Sequence, residues 1–158
     1  MLEATIGHFS QVDKSRDLAT VLGFDYGARR IGVAVGNRLS GARALEVVGN
    51  GAQGPDFARI DALLREWRPQ ALLVGLSLTM AGEEQRNSQA ARAFAAELTE
   101  RYGLPGHLVD ERLSSHEAAQ RFAVRRASGQ AKRKHAADLD AVAAEIIIEN
   151  WFAHATDG

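Results

Sequence analysis

Between Thr20 and Asn50 the chain lays down three strand-like segments whose connections are too short to do anything but reverse it. TVLGFDYG and RIGVAVGN are apolar, rich in β-branched and small residues, and separated only by Gly27-Ala28-Arg29, which predicts a hairpin. ARALEVVGN continues as a third strand and ends in the turn-rich NGAQGPD. The period then changes. Phe57, Ile60, Leu63, Leu64 and Trp67 recur at helical spacing, with Asp56 as cap and Pro69 as stop. ALLVGL is a continuous apolar run, the mark of a strand buried on both faces. A helix from about Glu84 to Tyr102 closes at Gly103, and GHLVDE is a short strand. Ser115 to about Arg126 reads as helix, SGQAKRKH as a flexible basic connector, and Asp138 to Phe152 as a strongly apolar last helix. The order β-β-β-α-β-α-β-α-α predicts an α/β fold. Its sheet is expected to be mixed and five-stranded, three antiparallel strands followed by two parallel ones, with helices flanking it.

Residues 1–18 are polar and aperiodic and read as a flexible leader, which leaves 19–154 as one domain. A chain of 158 residues is long enough to bury roughly two-thirds of its unfolded surface without a disulfide or structural metal. The absence of cysteine removes zinc-thiolate sites, disulfide frameworks and cysteine nucleophiles together. No apolar stretch approaches the roughly 18–20 residues of a membrane span, and the N-terminus lacks the basic start and apolar core of a signal peptide. A cytoplasmic protein is the expectation. The formal charge of −1 is unevenly spread. From Ala118 to Ala137 there is no acid, while Arg121, Arg125, Arg126, Lys132, Arg133 and Lys134 are all present. Such a local patch can hold phosphates.

Three places put carboxylates where strands and helices tolerate them poorly or border a cleft. Asp25 lies inside LGFDYG, although aspartate is a poor strand former and costly to bury alone. A strand-end aspartate satisfied by the following turn is the plain explanation. Gly23, Gly27 and Gly32 favour the functional one, because they clear side chains from around Asp25 and let a backbone or a phosphate come close. Asp110 and Glu111 end the fifth strand, and alternation lets only one of them face the side that Asp25 faces. Glu111 has the longer reach. Asp138 and Asp140 open the last helix, where the macrodipole alone would favour both. Asp140 lies about 100° from Leu139, at the margin of the stripe formed by Leu139, Val142, Ala143, Ile146 and Ile147. Three carboxylates at one sheet edge repel each other unless a cation neutralises them. Hard oxygen ligands favour magnesium or manganese, one ion or two, and that pair suits in-line hydrolysis of a phosphodiester.

Four blocks, LGFDYGARRIGVAVGN, LLVGLSLTMAGEE, LVDERLSSHEA and DLDAVAAEIIIENWF, resemble the YqgF/RuvX family of RNase H-like proteins in order and spacing. The similarity runs from about Val21 to Phe152. It implies the RNase H-like fold and an acidic site of Asp25, Glu111 and Asp140, with Asp140 matching the family's last acid better than Asp138. It further implies a nuclease that processes the 5′ end of pre-16S ribosomal RNA within ribosome biogenesis, with the ribosomal precursor particle as a partner. Similarity to RuvC implies the alternative, a Holliday junction resolvase acting on branched DNA. One block departs from the family pattern of Gly-Leu-Pro-Leu followed by Asp-Gly. Ser77 and Ala81 stand where that proline and aspartate would be, while Gly75 and Gly82 survive.

Arg29, Arg30 and Arg112 lie beside the acids, where they either pair with carboxylates or grip substrate phosphates in arginine's fork. Lys132, Arg133 and Lys134 are candidates for nucleic-acid contact. An actin-like nucleotide-binding protein shares the Asp-x-Gly hairpin but needs two related domains, and no second such hairpin occurs here. A non-catalytic RNA-binding module of the same fold is the other rival, against which the retention of all three acids argues. The end of the last helix is apolar on more than one face, which suits core and also a contact in a weak homodimer, with a monomer as the alternative.

Overall fold

Val21 stands opposite Gly36 and Tyr26 opposite Ile31, so the first two segments form a hairpin whose connection is 27–29. The computed structural model describes residues 19–76, 86–110, 120–121, 123–124 and 135–155. In chain order its elements are β1 (Val21–Tyr26), β2 (Arg30–Asn37), β3 (Gly41–Gly51), β4 (Gly54–Pro55), α1 (Phe57–Trp67), β5 (Ala71–Leu76), α2 (Arg86–Tyr102), β6 (Gly106–Asp110) and α3 (His135–Ala155). The sheet order is β4-β3-β2-β1-β5-β6. The β1–β2 and β2–β3 pairs are antiparallel, whereas β5 lies parallel to both β1 and β6.

The sheet therefore has six strands where five were expected. The extra one is β4, a two-residue piece that pairs Asn50 with Pro55 and Gly51 with Gly54. Gly54, at φ +94°, makes the tight return possible. Two residues are too few for a period-2 pattern to show, so the segment reads as turn. The last helix is also longer than the expected Asp138–Phe152. It starts at His135, inside what reads as connector, and runs to Ala155. Of the helix expected over 115–126, residues 120–121 and 123–124 are described, and they are helical.

Strand alternation sends the two faces of the sheet to different helices. Leu22, Phe24, Ile31, Val33, Val35, Leu72 and Val74 pack with Ile60 and Leu63 of α1 and with Ala91, Phe94 and Leu98 of α2. Val21, Ala34, Leu73 and Val109 pack with Ala144, Ile147 and Ile148 of α3. Burial on both faces is why ALLVGL shows no polar alternation. Ile146, Ile147 and Ile148 are each fully buried within the single chain, so they belong to its core and not to a contact between copies. Helix α1 is bounded as its sequence suggests. The Asp56 side chain accepts from the Arg59 N–H at 3.2 Å, and Arg68, at φ 48°, turns the chain out before Pro69.

Candidate active site

The site grows from small residues that let a helix lie directly on the hairpin. Val21, Gly23 and Asp25 point toward α3, as alternation from the Val21 cluster requires. A Cβ on Gly23 would stand 2.7 Å from Cγ1 of Ile148. Asp25, near the end of β1, is half-buried, and its cross-strand partner is Gly32. A Cβ on Gly32 would lie 2.0 Å from the carbonyl oxygen of Asp140 and 2.8 Å from the nitrogen of Ala141. The backbone of α3 thus fills the space a side chain at 32 would take. Directly opposed strand residues share a face, with Cβ atoms roughly 4.5–5.5 Å apart. Asp25 therefore stands next to the place where Asp140 leaves the helix.

Asp140 lies beyond the first turn of α3, since the helix begins at His135. The helix dipole fades within that first turn and so does not account for it. Its carboxylate Oδ2 accepts a hydrogen bond from Nε of Arg30 at 2.8 Å. The two side chains are 49% (Arg30) and 27% (Asp140) exposed, so the pair sits at the rim and is open to solvent. Arg30 precedes Gly32 by two residues on β2 and reaches toward the same face.

The turn that carries these groups is tied down from behind. Gly27 N–H donates to the Arg30 carbonyl at 3.0 Å, and Asn50 N–H donates to the Arg29 carbonyl at 2.9 Å. The Asn50 side chain, 4% exposed, donates from Nδ2 to the Gly27 carbonyl at 2.7 Å. Asn50 is a positioning residue that sequence reading places in a turn and passes over. Its role depends on the end of β3 lying behind the β1–β2 turn, which no local pattern announces.

Asp25, Asp140 and Arg30 are thus brought together, while Arg29 is exposed at the hairpin. Asp110 shares by alternation the face of Gly106, whose Cβ would meet Thr99 of α2, and so points away from α3. Glu111, Arg112, Lys132, Arg133 and Lys134 lie outside the described residues, as do Ser77, Ala81 and Gly82. The side chain of Asp138 is likewise not described. Arg121, counted above within the basic patch, is engaged internally. Its guanidinium meets Glu149 through two hydrogen bonds of 3.1 Å and lies 3.8 Å from the buried Glu145. Among the described residues no three His, Cys, Asp or Glu side chains form a metal-binding group. No helix among them is long and apolar enough to cross a membrane.

Residues 19–154 match the family model for RuvX, described as a Holliday junction resolvase. A "Putative pre-16S rRNA nuclease" of Xanthomonas campestris pv. campestris (strain 8004) is 54% identical over 136 residues, covering 85% of this chain and 88% of that protein. The structure of Thermus thermophilus RuvC superposes with a TM-score of 0.55 at 21% identity, covering 87% of this chain and 97% of that one. The same resolvase in complex with its Holliday junction substrate gives a TM-score of 0.53 at 22% identity over the same shares. The mixed sheet and its helices are the RNase H-like fold of these resolvases.

Proposed function

The chain belongs to the RuvX family, and we propose that it is a nuclease that hydrolyses phosphodiester bonds with the help of divalent cations. The observation that carries the reading is the seating of Asp140 against Gly32, the cross-strand partner of Asp25. Two carboxylates converging on a rim are costly as a structural device and useful as a ligand set. Glu111 is the third member. It follows Val109 by two residues, and Val109 packs on the α3 face, so continued alternation would turn Glu111 to the side of Asp25.

The donor set fits a hard cation. Asp25 and Asp140 offer carboxylate oxygens at one rim, where the close seating of α3 on Gly32 sets Asp140 beside Asp25, and Glu111 would add a third carboxylate. When bound, Mg2+ or Mn2+, as one or two ions, would neutralise charge on the scissile phosphate and favour attack by water. The chain's own residues then hold and orient. Asn50 fixes the hairpin from behind, Arg29, Arg30 and Arg112 face substrate phosphates, and Lys132, Arg133 and Lys134 extend the contact along the backbone. Water would bond to phosphorus in line with the departing sugar oxygen and give up a proton to solvent, while the sugar oxygen leaves with the electron pair of the broken bond and takes up a proton.

The favoured substrate is pre-16S ribosomal RNA, after the name of the 54% identical relative, and within it the 5′ leader that the resemblance of the sequence blocks implies. We infer that the work is done in the cytoplasm, on the ribosomal precursor, with 19–154 as the catalytic unit. Branched DNA is the second reading, favoured by the family's description as a resolvase. Cleavage of leader RNA and of a four-way DNA junction, side by side with Mg2+ or Mn2+, separates them. RNA cutting that vanishes in Asp25→Asn or with EDTA supports the first reading, and cutting of the junction alone supports the second. Binding of both without cutting of either would overturn the nuclease in favour of a binding module.

A further inference from the structure

We propose that Arg30 is a positioning residue that holds Asp140 in place of a cation, and that it gives up this carboxylate for a substrate phosphate when a divalent ion enters. The inference rests on the reading of Asp140 as a ligand. Arg30 Nε donates to Oδ2 of Asp140 at 2.8 Å. Both ends of this contact are anchored. The Arg30 carbonyl accepts from Gly27 N–H, and the adjacent Arg29 carbonyl accepts from Asn50 N–H, whose side chain is buried. The Asp140 backbone is pressed against Gly32 and cannot withdraw. Two carboxylates brought to one rim then have a positive partner supplied by the chain itself.

The same geometry makes the contact exchangeable. Half of the Arg30 side chain is open to solvent, and among the described residues the Nε bond is its one side-chain hydrogen bond. The terminal nitrogens of the fork are therefore placed to take two oxygens of a phosphate. A guanidinium and a divalent cation are drawn to the same carboxylate but repel each other across it. Entry of the ion loosens Arg30, and a phosphate arriving with the substrate gives the guanidinium its next partner. Metal and polynucleotide thereby favour each other's binding through one side chain.

Two titrations of the full chain test this, Mn2+ alone followed by electron paramagnetic resonance, and leader RNA binding at several salt concentrations, in EDTA and with Mn2+ at a low temperature that slows cleavage. Arg30→Gln should bind Mn2+ roughly two- to fivefold more tightly than wild type, the scale set by an exposed guanidinium–carboxylate pair. With Mn2+ present its RNA affinity should fall and the salt slope shrink by about one, and the fall should be smaller in EDTA, where Asp140 holds the wild-type guanidinium. Arg38→Gln removes the same charge at the other end of β2 and should leave Mn2+ affinity unchanged. Arg30→Lys keeps a charge beside Asp140 without the fork, so it should hold wild-type Mn2+ affinity and still lose RNA affinity. Mn2+ affinity that is unchanged or weaker in Arg30→Gln, with wild type binding normally, overturns this proposal alone. A wild type that takes up no Mn2+ overturns it together with the metal-dependent nuclease.

Discussion

The carbonyl of Asp140 occupies the space that a Cβ on Gly32 would need, at a separation of 2.0 Å. Glycine at 32 is therefore a condition for α3 to deliver Asp140 beside Asp25. Gly32→Ala must push the helix backbone outward, since neither partner is a flexible side-chain tip. We expect a loss of about 3 kcal/mol, the upper end of overpacking costs, or roughly 10 °C in the melting temperature. Residual folded protein should cut poorly, because Asp140 is displaced with the helix. Thermal melting followed by circular dichroism, with cleavage at low temperature, checks both. Gly23→Ala is the milder control, as its closest obstacle is the movable Ile148 side chain.

Asn50→Ala should leave the Gly27 carbonyl without its side-chain donor. Losing the donor to a partly buried carbonyl costs about 1–3 kcal/mol. The effect should be local, with faster hydrogen exchange at the Gly27 amide, which now donates to Arg30. Cleavage should fall more than global stability does, because the loosened turn carries Arg29 and Arg30. Equal falls in both would assign Asn50 to stability alone.

Much of this arrangement could be read in advance, and the rest failed for definable reasons. The hairpin and the doubly buried β5 declare themselves through apolar runs and short connections. Asp25 stood out as a carboxylate in such a run, and Gly23 and Gly32 as residues that would let a backbone come close. That backbone is α3. The identity of the approaching element was not legible, because Gly32 and Asp140 meet only through the packing of α3 on β2. The same distance in sequence hid Arg121, which belongs to a basic run locally and to Glu149 in space. The start of α3 at His135 was missed because apolar periodicity begins only at Leu139.

Tyr102 gives the chain an alkaline limit. Burial, and next its hydrogen bond to Asp61, push the phenol up from 10.0 to about 12. The folded state thus keeps a proton that the unfolded state loses first. Stability from this group is complete below pH 10, and it declines as pH rises from about 10 through 12. Tyr102→Phe should cost about 1 kcal/mol at neutral pH and flatten the decline. Urea midpoints at pH 8 and pH 11 measure the difference, and equal slopes for the two proteins would exclude Tyr102 as its source.

Arg68 holds φ 48° at the end of α1, a left-handed conformation in which a side chain is strained. Its N–H still closes the helix on the Leu64 carbonyl at 2.8 Å. Arg68→Gly keeps that bond and removes the strain, so the variant should gain up to about 1 kcal/mol despite glycine's greater freedom when unfolded. The comparison is with Arg68→Ala, which stays strained. A glycine variant no more stable than the alanine one would refute the argument.

Binding of a divalent ion to the acidic rim has a thermodynamic signature independent of cleavage. An ion that binds only the folded state stabilises it by about 2.7 kcal/mol at a hundred times its dissociation constant. For a domain of this size that is roughly 5–10 °C in melting temperature. Mg2+ or Mn2+ should raise the wild-type midpoint by such an amount, and Ca2+ serves to judge selectivity. Asp25→Asn and Asp140→Asn should each lose most of the shift, since each removes one charged ligand. Without metal, Asp140→Asn should lower the baseline, because it breaks the contact with Arg30. Equal metal shifts in wild type and both variants would place the ion elsewhere and detach these acids from the chemistry.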